Sequence, residues 1–91
     1  MTPTIEHLPE RGLFQTRVGG LVGVAEYRLS DGVMMMTHTE VDPALQGRGI
    51  AGALVDAALA YARANGLKVN PLCSYVRAHM RRHPQTQDLL A

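Results

Sequence analysis

The chain has 91 residues, with nine Lys and Arg against eight Asp and Glu, which gives a formal net charge of +1. That balance excludes binding of nucleic acid through bulk positive charge. No apolar stretch approaches the roughly 20 residues that span a bilayer. The composition, 46% apolar and 19% charged, is that of a globular protein. We therefore expect a single domain over residues 1–91 that binds neither nucleic acid nor membrane.

The cellular compartment is predicted from the N-terminus and from cysteine usage. The first residues have neither the basic nor the apolar region of a secretory signal. Cys73 is the sole cysteine and cannot form an internal disulfide, which is typical of a reducing compartment. A cytoplasmic location is the expectation.

The first half of the chain predicts three antiparallel strands. Residues 13–18 and 22–29 alternate apolar and polar side chains with a period of two. The Gly19-Gly20 pair between them suits a two-residue hairpin turn. Asp31-Gly32 repeats this signal before a third apolar run over residues 33–41. A meander of three strands is therefore expected.

The second half predicts helix, strand and helix. Apolar residues recur at spacings of three and four over residues 49–65, a stretch rich in alanine. Gly66 follows as a helix-ending residue. Residues 67–73 have strand character, and Pro71 favours an edge position or an irregular exit at the end of this strand. A shorter helix is expected over residues 74–82 with Ser74 as its N-cap.

The order of these elements predicts the fold class. A helix that connects two strands normally places them parallel through a right-handed crossover. We therefore expect an α+β domain whose mixed sheet joins an antiparallel meander to one parallel strand. One long helix and a shorter C-terminal helix complete it.

The segment that connects the third strand to the long helix is rich in glycine. It reads Gln46-Gly47-Arg48-Gly49-Ile50-Ala51-Gly52. Glycines allow backbone amides to approach a ligand, and a helix N-terminus adds unpaired N–H donors, so the segment favours binding of phosphate or pyrophosphate. Arg48 adds an ionic contact. The alternative is that the glycines only shape a tight turn. A dinucleotide fold is rejected because it needs more βαβ units than the chain can supply.

A resemblance to a known family becomes specific at this segment. Gln46-x-x-Gly49-x-Ala51 fits the Q/R-x-x-G-x-G/A motif of the GCN5-related N-acetyltransferases, which bind the pyrophosphate of acetyl-CoA. The ordered set that includes residues 38–41, 46–51, 72–73 and 82–84 resembles the small stand-alone members of that family.

This resemblance implies a truncated acyl-CoA N-acyltransferase fold with acetyl-CoA or coenzyme A as the bound donor. The pantetheine arm is expected between two parallel strands that splay apart, one ending near Val41 and the other near Cys73. The strands that build the acceptor pocket in larger relatives are absent, so the amine acceptor is left open among protein lysines, polyamines and small metabolites. The residues expected to bind the coenzyme are Val41, Gln46, Gly47, Arg48, Gly49, Ile50, Ala51 and Gly52.

Two residues are candidates for catalysis. Cys73 could accept the acetyl group as a thiolate, because its position at the start of the second helix and the nearby Arg77 would lower its pKa. Alternatively, it could be a small buried hydrophobic residue. His38 has a pKa suited to a general base, or it could be an ordinary strand histidine. Glu40 shares the strand face of His38 and could orient it.

The leading functional prediction is an acetyl-CoA-dependent N-acetyltransferase for a primary amine, acting by direct attack or through acetylated Cys73. One alternative is a module that binds coenzyme A or acyl-CoA without turnover. Another is an interaction domain that uses the cationic last helix, whose simplest interpretation is a solvated face. His79 and His83 lack further ligands, so no metal site is expected. An exposed sheet edge allows a homodimer. The cationic residues of the last helix are Arg77, His79, Arg81, Arg82 and His83.

Overall fold

The computed structural model describes residues 3–91 and contains a five-stranded sheet with the order β1-β2-β3-β4-β5. The first four strands pair antiparallel, and β5 pairs parallel to β4. The predicted α+β class and mixed sheet are thus confirmed. The strands are β1 (Glu6–Leu8), β2 (Leu13–Val18), β3 (Leu21–Ser30), β4 (Val33–Val41) and β5 (Lys68–Pro71); the helices are α1 (Ile50–Ala64) and α2 (Ser74–Arg82); short 3₁₀ turns lie at Pro9–Arg11, Pro43–Leu45 and Pro84–Leu89.

Both predicted hairpin turns are present. Gly19 and Gly20 have φ values of 55° and 85°, and Asp31 and Gly32 have 50° and 77°. Positive φ at both central positions is the conformation whose twist matches that of the flanking strands. These turns set the register of the meander.

The element boundaries differ from prediction in three places. Strand β1 was not predicted, because three residues are too few to show a periodicity. The last strand spans Lys68–Pro71 and is shorter than residues 67–73. The chain leaves the sheet at Pro71, where an edge or irregular exit was expected, and then starts α2. The prediction of Ser74 as N-cap is wrong. Cys73 holds that position with an extended backbone, φ −75° and ψ 131°, and Ser74 is the first helical residue.

The core lies between one face of the sheet and the two helices. Strand residues Met34, Met36 and Val69 are fully buried beneath α1 and α2. The opposite face of the sheet leaves side chains such as Arg28 and His38 exposed. No helix among residues 3–91 is long and apolar enough to cross a membrane. The buried helix residues are Ile50, Leu54, Val55, Ala58, Leu59 and Ala62 from α1, and Val76, His79 and Met80 from α2.

A bulge in β4 reverses the faces of the residues that follow it. Tyr27 of β3 pairs with Met36, and Glu26 pairs with His38, so Thr37 has no partner in β3. Such an extra residue shifts the alternation of side chains by one position. Thr39 therefore lies on the face that carries the helices, and His38 lies on the opposite face. A regular strand would have put His38 on the same face as Met36.

Candidate active site

The two parallel strands separate at their C-terminal ends. The pairing of β4 with β5 runs from Val33 and Lys68 only as far as Met36 and Pro71. The last hydrogen bond between β4 and the segment after β5 runs from the Cys73 amide to the Met36 carbonyl at 3.0 Å. Strand β4 then continues alone on that side to residue 41. A gap therefore opens between β4 and the start of α2.

The glycine-rich turn presents a series of open amides above this gap. Gly47 and Gly49 have φ values of 83° and 74°, and a Cβ placed on either would meet nothing within 4 Å. Left-handed residues that alternate with ordinary ones direct successive N–H groups into one concavity that binds anions. The first hydrogen bond of α1 runs from the Ala53 amide to the Gly49 carbonyl at 3.0 Å. Among the described residues, the amides of residues 47–52 have no backbone acceptor, and the positive end of a 15-residue helix lies behind them.

A cavity of about 220 Å³ is lined by residues of this turn. Seven of the eight residues predicted to bind the coenzyme line it; the exception is Arg48, which is exposed beside it. Leu45 and Tyr75 also line the cavity and were missed. Leu45 had no signal beyond being apolar, and Tyr75 comes from α2, whose approach to the turn is a tertiary feature. The lining residues are Val41, Leu45, Gln46, Gly47, Gly49, Ile50, Ala51, Gly52 and Tyr75.

A buried histidine holds α2 against α1 at the wall of this cavity. The side chain of His79 is 5% exposed, and its Nε2 lies 2.7 Å from Oδ1 of Asp56 on α1. Its ring and the Tyr75 hydroxyl lie 3.6 Å from where a Cβ on Gly52 would be. His79 thus does not belong to the solvated cationic face, contrary to the simplest interpretation of the last helix. A Cβ at position 52 would therefore be in ordinary van der Waals contact with α2.

The same arrangement argues against a metal at the two histidines of α2. Nδ1 of His83 donates to the carbonyl oxygen of His79 at 2.7 Å, and the two rings stack with centroids 4.2 Å apart. Within residues 3–91, no group of three or more His, Cys, Asp or Glu side chains is placed to hold a metal ion.

Cys73 carries a polarised thiol at the gap. It is partly buried, and its Sγ lies 3.8 Å from the hydroxyl of Thr39 across the gap. Burial raises the pKa of the Cys73 thiol, but the amides of Val76 and Tyr75 at the start of α2, together with Thr39, lower it more, so that the net pKa falls below its ordinary value. The position at the start of α2, which was expected to lower this pKa, is among these causes. Arg77, the other expected cause, instead donates to the carbonyl of Leu72 at 3.4 Å.

His38 and Glu40 lie on the other face of the sheet. Nε2 of His38 is 3.1 Å from Oε1 of Glu40, and the two side chains are 51% and 72% exposed. The pair therefore has the predicted shared face, but the bulge separates it from Cys73. Thr39, which sequence periodicity did not single out, is the β4 side chain beside the thiol. The catalytic role of His38 stays a prediction.

Comparison with known proteins identifies the family. The model of the family described as GCN5-related N-acetyl-transferase matches residues 13–89. The chain belongs to the GCN5-related N-acetyltransferase family. Protein NATD1 of Mus musculus is 34% identical over 89 residues, covering 93% of this chain and 80% of the relative. Protein NATD1 of Homo sapiens has the same identity, with 78% of its length covered.

A solved structure supports the fold of this acetyltransferase-family chain. The solution structure of a GCN5-like putative N-acetyltransferase from Staphylococcus aureus superimposes with a TM-score of 0.77. The match covers 99% of this chain and 89% of the other, at 24% identity. At that identity the likeness establishes the fold.

Proposed function

We propose that this chain is an acetyl-CoA-dependent N-acetyltransferase that acts on a primary amine. The proposal depends on two features that lie close together. A turn with open amides and a thiol of lowered pKa lie at the same end of one parallel strand pair, where β4 and β5 separate. Family membership supports the reaction type.

The residues of the cavity fit coenzyme A by their chemistry. The amides of residues 47–52 suit a pyrophosphate, since they are unpaired donors at a helix N-terminus. Arg48 is exposed at their edge and adds a positive charge. Val41, Leu45 and Ile50 give the cavity apolar walls suited to the pantetheine arm. Acetyl-CoA supplies its acetyl group as a thioester, which amines attack readily.

The chain's own groups support two routes to the product. In direct transfer, the amine nitrogen bonds to the acetyl carbon, the C–S bond breaks, and the leaving sulfur takes up a proton. In the second route, Sγ of Cys73 bonds to the acetyl carbon, the C–S bond to coenzyme A breaks, and the coenzyme sulfur takes up the thiol proton. The amine nitrogen then bonds to the acetyl carbon, the bond to Sγ breaks, and Sγ takes up a proton from the amine. The lowered pKa of the thiol favours its nucleophilic form. The second route needs a free thiol at Cys73, which suits a cytoplasmic location.

A matched pair of variants tests the coenzyme site. Gly49 and Gly32 have φ values of 74° and 77°, and both positions are open to solvent. A side chain at either position imposes the same left-handed strain, about 1–2 kcal/mol. In titration calorimetry with coenzyme A, Gly49→Glu is expected to weaken binding at least tenfold, because its carboxylate repels the pyrophosphate at close range. Gly32→Glu is expected to bind like the wild type.

Equal binding by Gly49→Glu and Gly32→Glu would contradict the site, and absence of wild-type binding would contradict the function. Intact-mass analysis after incubation with acetyl-CoA then separates the routes. One added acetyl group that disappears in Cys73→Ala supports the covalent route, and an unchanged mass with amine acetylation supports direct transfer. Binding of coenzyme A with no acetylation of any amine indicates a binding module without turnover.

A further inference from the structure

A second, larger cavity lies on the sheet face opposite the helices. Its volume is about 590 Å³, which falls within the range of sites for small molecules. Strands β3 and β4 form its floor, and the 3₁₀ turn before β2 contributes Arg11 to its wall. Because the helices pack on the other face, this cavity does not share the coenzyme site.

Three charged side chains define the chemistry of this cavity. Arg11 and Arg28 are exposed in its lining, and Glu26 is partly exposed there. Glu26 and Arg28 are two positions apart on β3, so both project from the same face. Within residues 3–91, none of the three forms an ion pair within 4.0 Å. The cavity therefore offers two free positive charges and one free negative charge to a ligand.

The position of this cavity connects it to the gap between the parallel strands. Thr37 and Leu72 line it, and each is the first residue beyond the last β4–β5 pair, Met36 with Pro71. Cys73, the residue after Leu72, and Thr39, two residues after Thr37, meet on the helix side of the same gap. A ligand in this cavity thus faces the gap from the side opposite the coenzyme site.

We propose that this cavity binds the acetyl acceptor, and that the acceptor is a small primary amine carrying an anionic group. The carboxylate or phosphate of the amine pairs with Arg11 and Arg28, and the ammonium group lies near Glu26 beside the gap. In the transfer, the nitrogen bonds to the acetyl carbon as the C–S bond breaks. The ammonium loses one proton to bulk water and one to the leaving sulfur. Polyamines and lysine-rich peptides bring further positive charge to the two arginines and are disfavoured.

The inference rests on the proposed function, and a binding experiment separates the two. The experiment follows the amide NMR resonances of the ¹⁵N-labelled protein. One sample receives four amines in turn: phosphoethanolamine, β-alanine, ethanolamine and putrescine. A second sample receives coenzyme A. The two anionic amines, phosphoethanolamine and β-alanine, are expected to shift the amide resonances of Gly12, Thr37 and Leu72. Ethanolamine and putrescine are expected to bind at least tenfold more weakly. A response to phosphoethanolamine alone identifies a phosphate ligand, and a response to both identifies anionic amines in general. Coenzyme A is expected to shift the amide resonances of Gly47 and Gly49.

Each failure has its own signature. If coenzyme A shifts the amide resonances of Gly47 and Gly49 while no amine shifts those of the second cavity, the acceptor inference is overturned and the proposed function stands. If the anionic amines bind but coenzyme A does not, the proposed function fails. Binding of putrescine as tight as that of phosphoethanolamine overturns the charge assignment.

Variants test the contacts in turnover. Arg28→Gln is expected to raise KM for the anionic amine about tenfold while leaving kcat nearly unchanged, because a charge-assisted contact to the bound amine is lost. Arg17→Gln is the control, since Arg17 is an exposed arginine at the other end of the β2–β3 hairpin and does not line the cavity. Equal KM values for the two variants would overturn the inference. An equal rise in KM for ethanolamine in Arg28→Gln would do the same.

Discussion

The packing of α1 on the sheet depends on the absence of a side chain at Gly23. This residue lies in β3 beneath the first turns of α1, and it pairs with Val41 of β4. A Cβ added there would lie 3.3 Å from Cγ2 of Ile50 and 3.3 Å from Cδ1 of Leu54, and 3.4 Å from Cγ2 of Val41. These distances are shorter than the 3.5–4.0 Å at which carbon atoms pack best. Gly23→Ala must therefore move the helix, the strand or both.

The magnitude follows from two opposing effects. Overpacking of a close-packed core costs about 1–3 kcal/mol. Replacement of glycine by alanine restricts the unfolded chain and returns about 0.4–1 kcal/mol. Ile50 and Leu54 are 5% and 0% exposed, so neither side chain can turn away into solvent. We expect Gly23→Ala to lower the free energy of unfolding by about 1–2 kcal/mol.

Gly52→Ala provides the matched control, because it makes the same chemical change at a position with room for it. Its nearest neighbours would be the Tyr75 hydroxyl and the His79 ring at 3.6 Å, an ordinary contact distance. Alanine also has the higher helix propensity. This variant is expected to be as stable as the wild type or up to about 1 kcal/mol more stable.

Urea denaturation followed by circular dichroism measures both variants, with the slope m required to stay constant. Gly23→Ala is also expected to weaken coenzyme A binding, since Ile50 and Val41 line the coenzyme cavity. A Gly23→Ala protein as stable as the wild type would refute the argument from contact distances. So would a loss of more than about 1 kcal/mol in Gly52→Ala.

Three further predictions concern titratable groups. Burial lowers the pKa of His7, and the charge of Glu10 opposes this effect. The folded state therefore binds fewer protons than the unfolded state, and the free energy of unfolding falls as the pH drops below about 6.5. His7→Phe should flatten this pH dependence, measured by urea denaturation at pH 5 to 7. Thr39→Val should raise the pKa of Cys73, read from iodoacetamide alkylation against pH, and an unchanged profile would exclude the hydroxyl contact. Asp56→Ala leaves the buried Nε2 of His79 without its partner and should cost about 1–3 kcal/mol, measured by thermal unfolding with Asp56→Asn as the milder comparison.

Local signals in the sequence were sufficient to predict most of the fold. The hairpins at Gly19-Gly20 and Asp31-Gly32 are encoded by residues that tolerate positive φ, and the alternation of the flanking strands has no competing period. The long helix has both an apolar stripe and a high alanine content. The glycine-rich turn was predictable for the same reason, since its glycines are a local signal, and six of the seven residues from Gln46 to Gly52 line one cavity.

The remaining features depend on contacts between distant segments. Tyr75 lines the cavity beside the glycine-rich turn because α2 packs against α1, where the buried His79 contacts Asp56. The N-cap at Cys73, where serine at position 74 had the better propensity, follows from the end of β5 at Pro71. Neither arrangement leaves a periodic pattern in the sequence.

The bulge at Thr37 is the feature with the largest chemical consequence. Without it, His38 would extend the buried row of Met34 and Met36, and an imidazole would face Cys73. With it, Thr39 meets the thiol, and His38 lies directly opposite Glu26 on the face of the second cavity. If the amine enters from that face, as we propose, His38 lies on the side from which the proton of the ammonium group leaves for bulk water. One inserted residue in β4 thus places Thr39 beside the thiol and His38 on the opposite face, which is the face that our proposal gives to the acceptor.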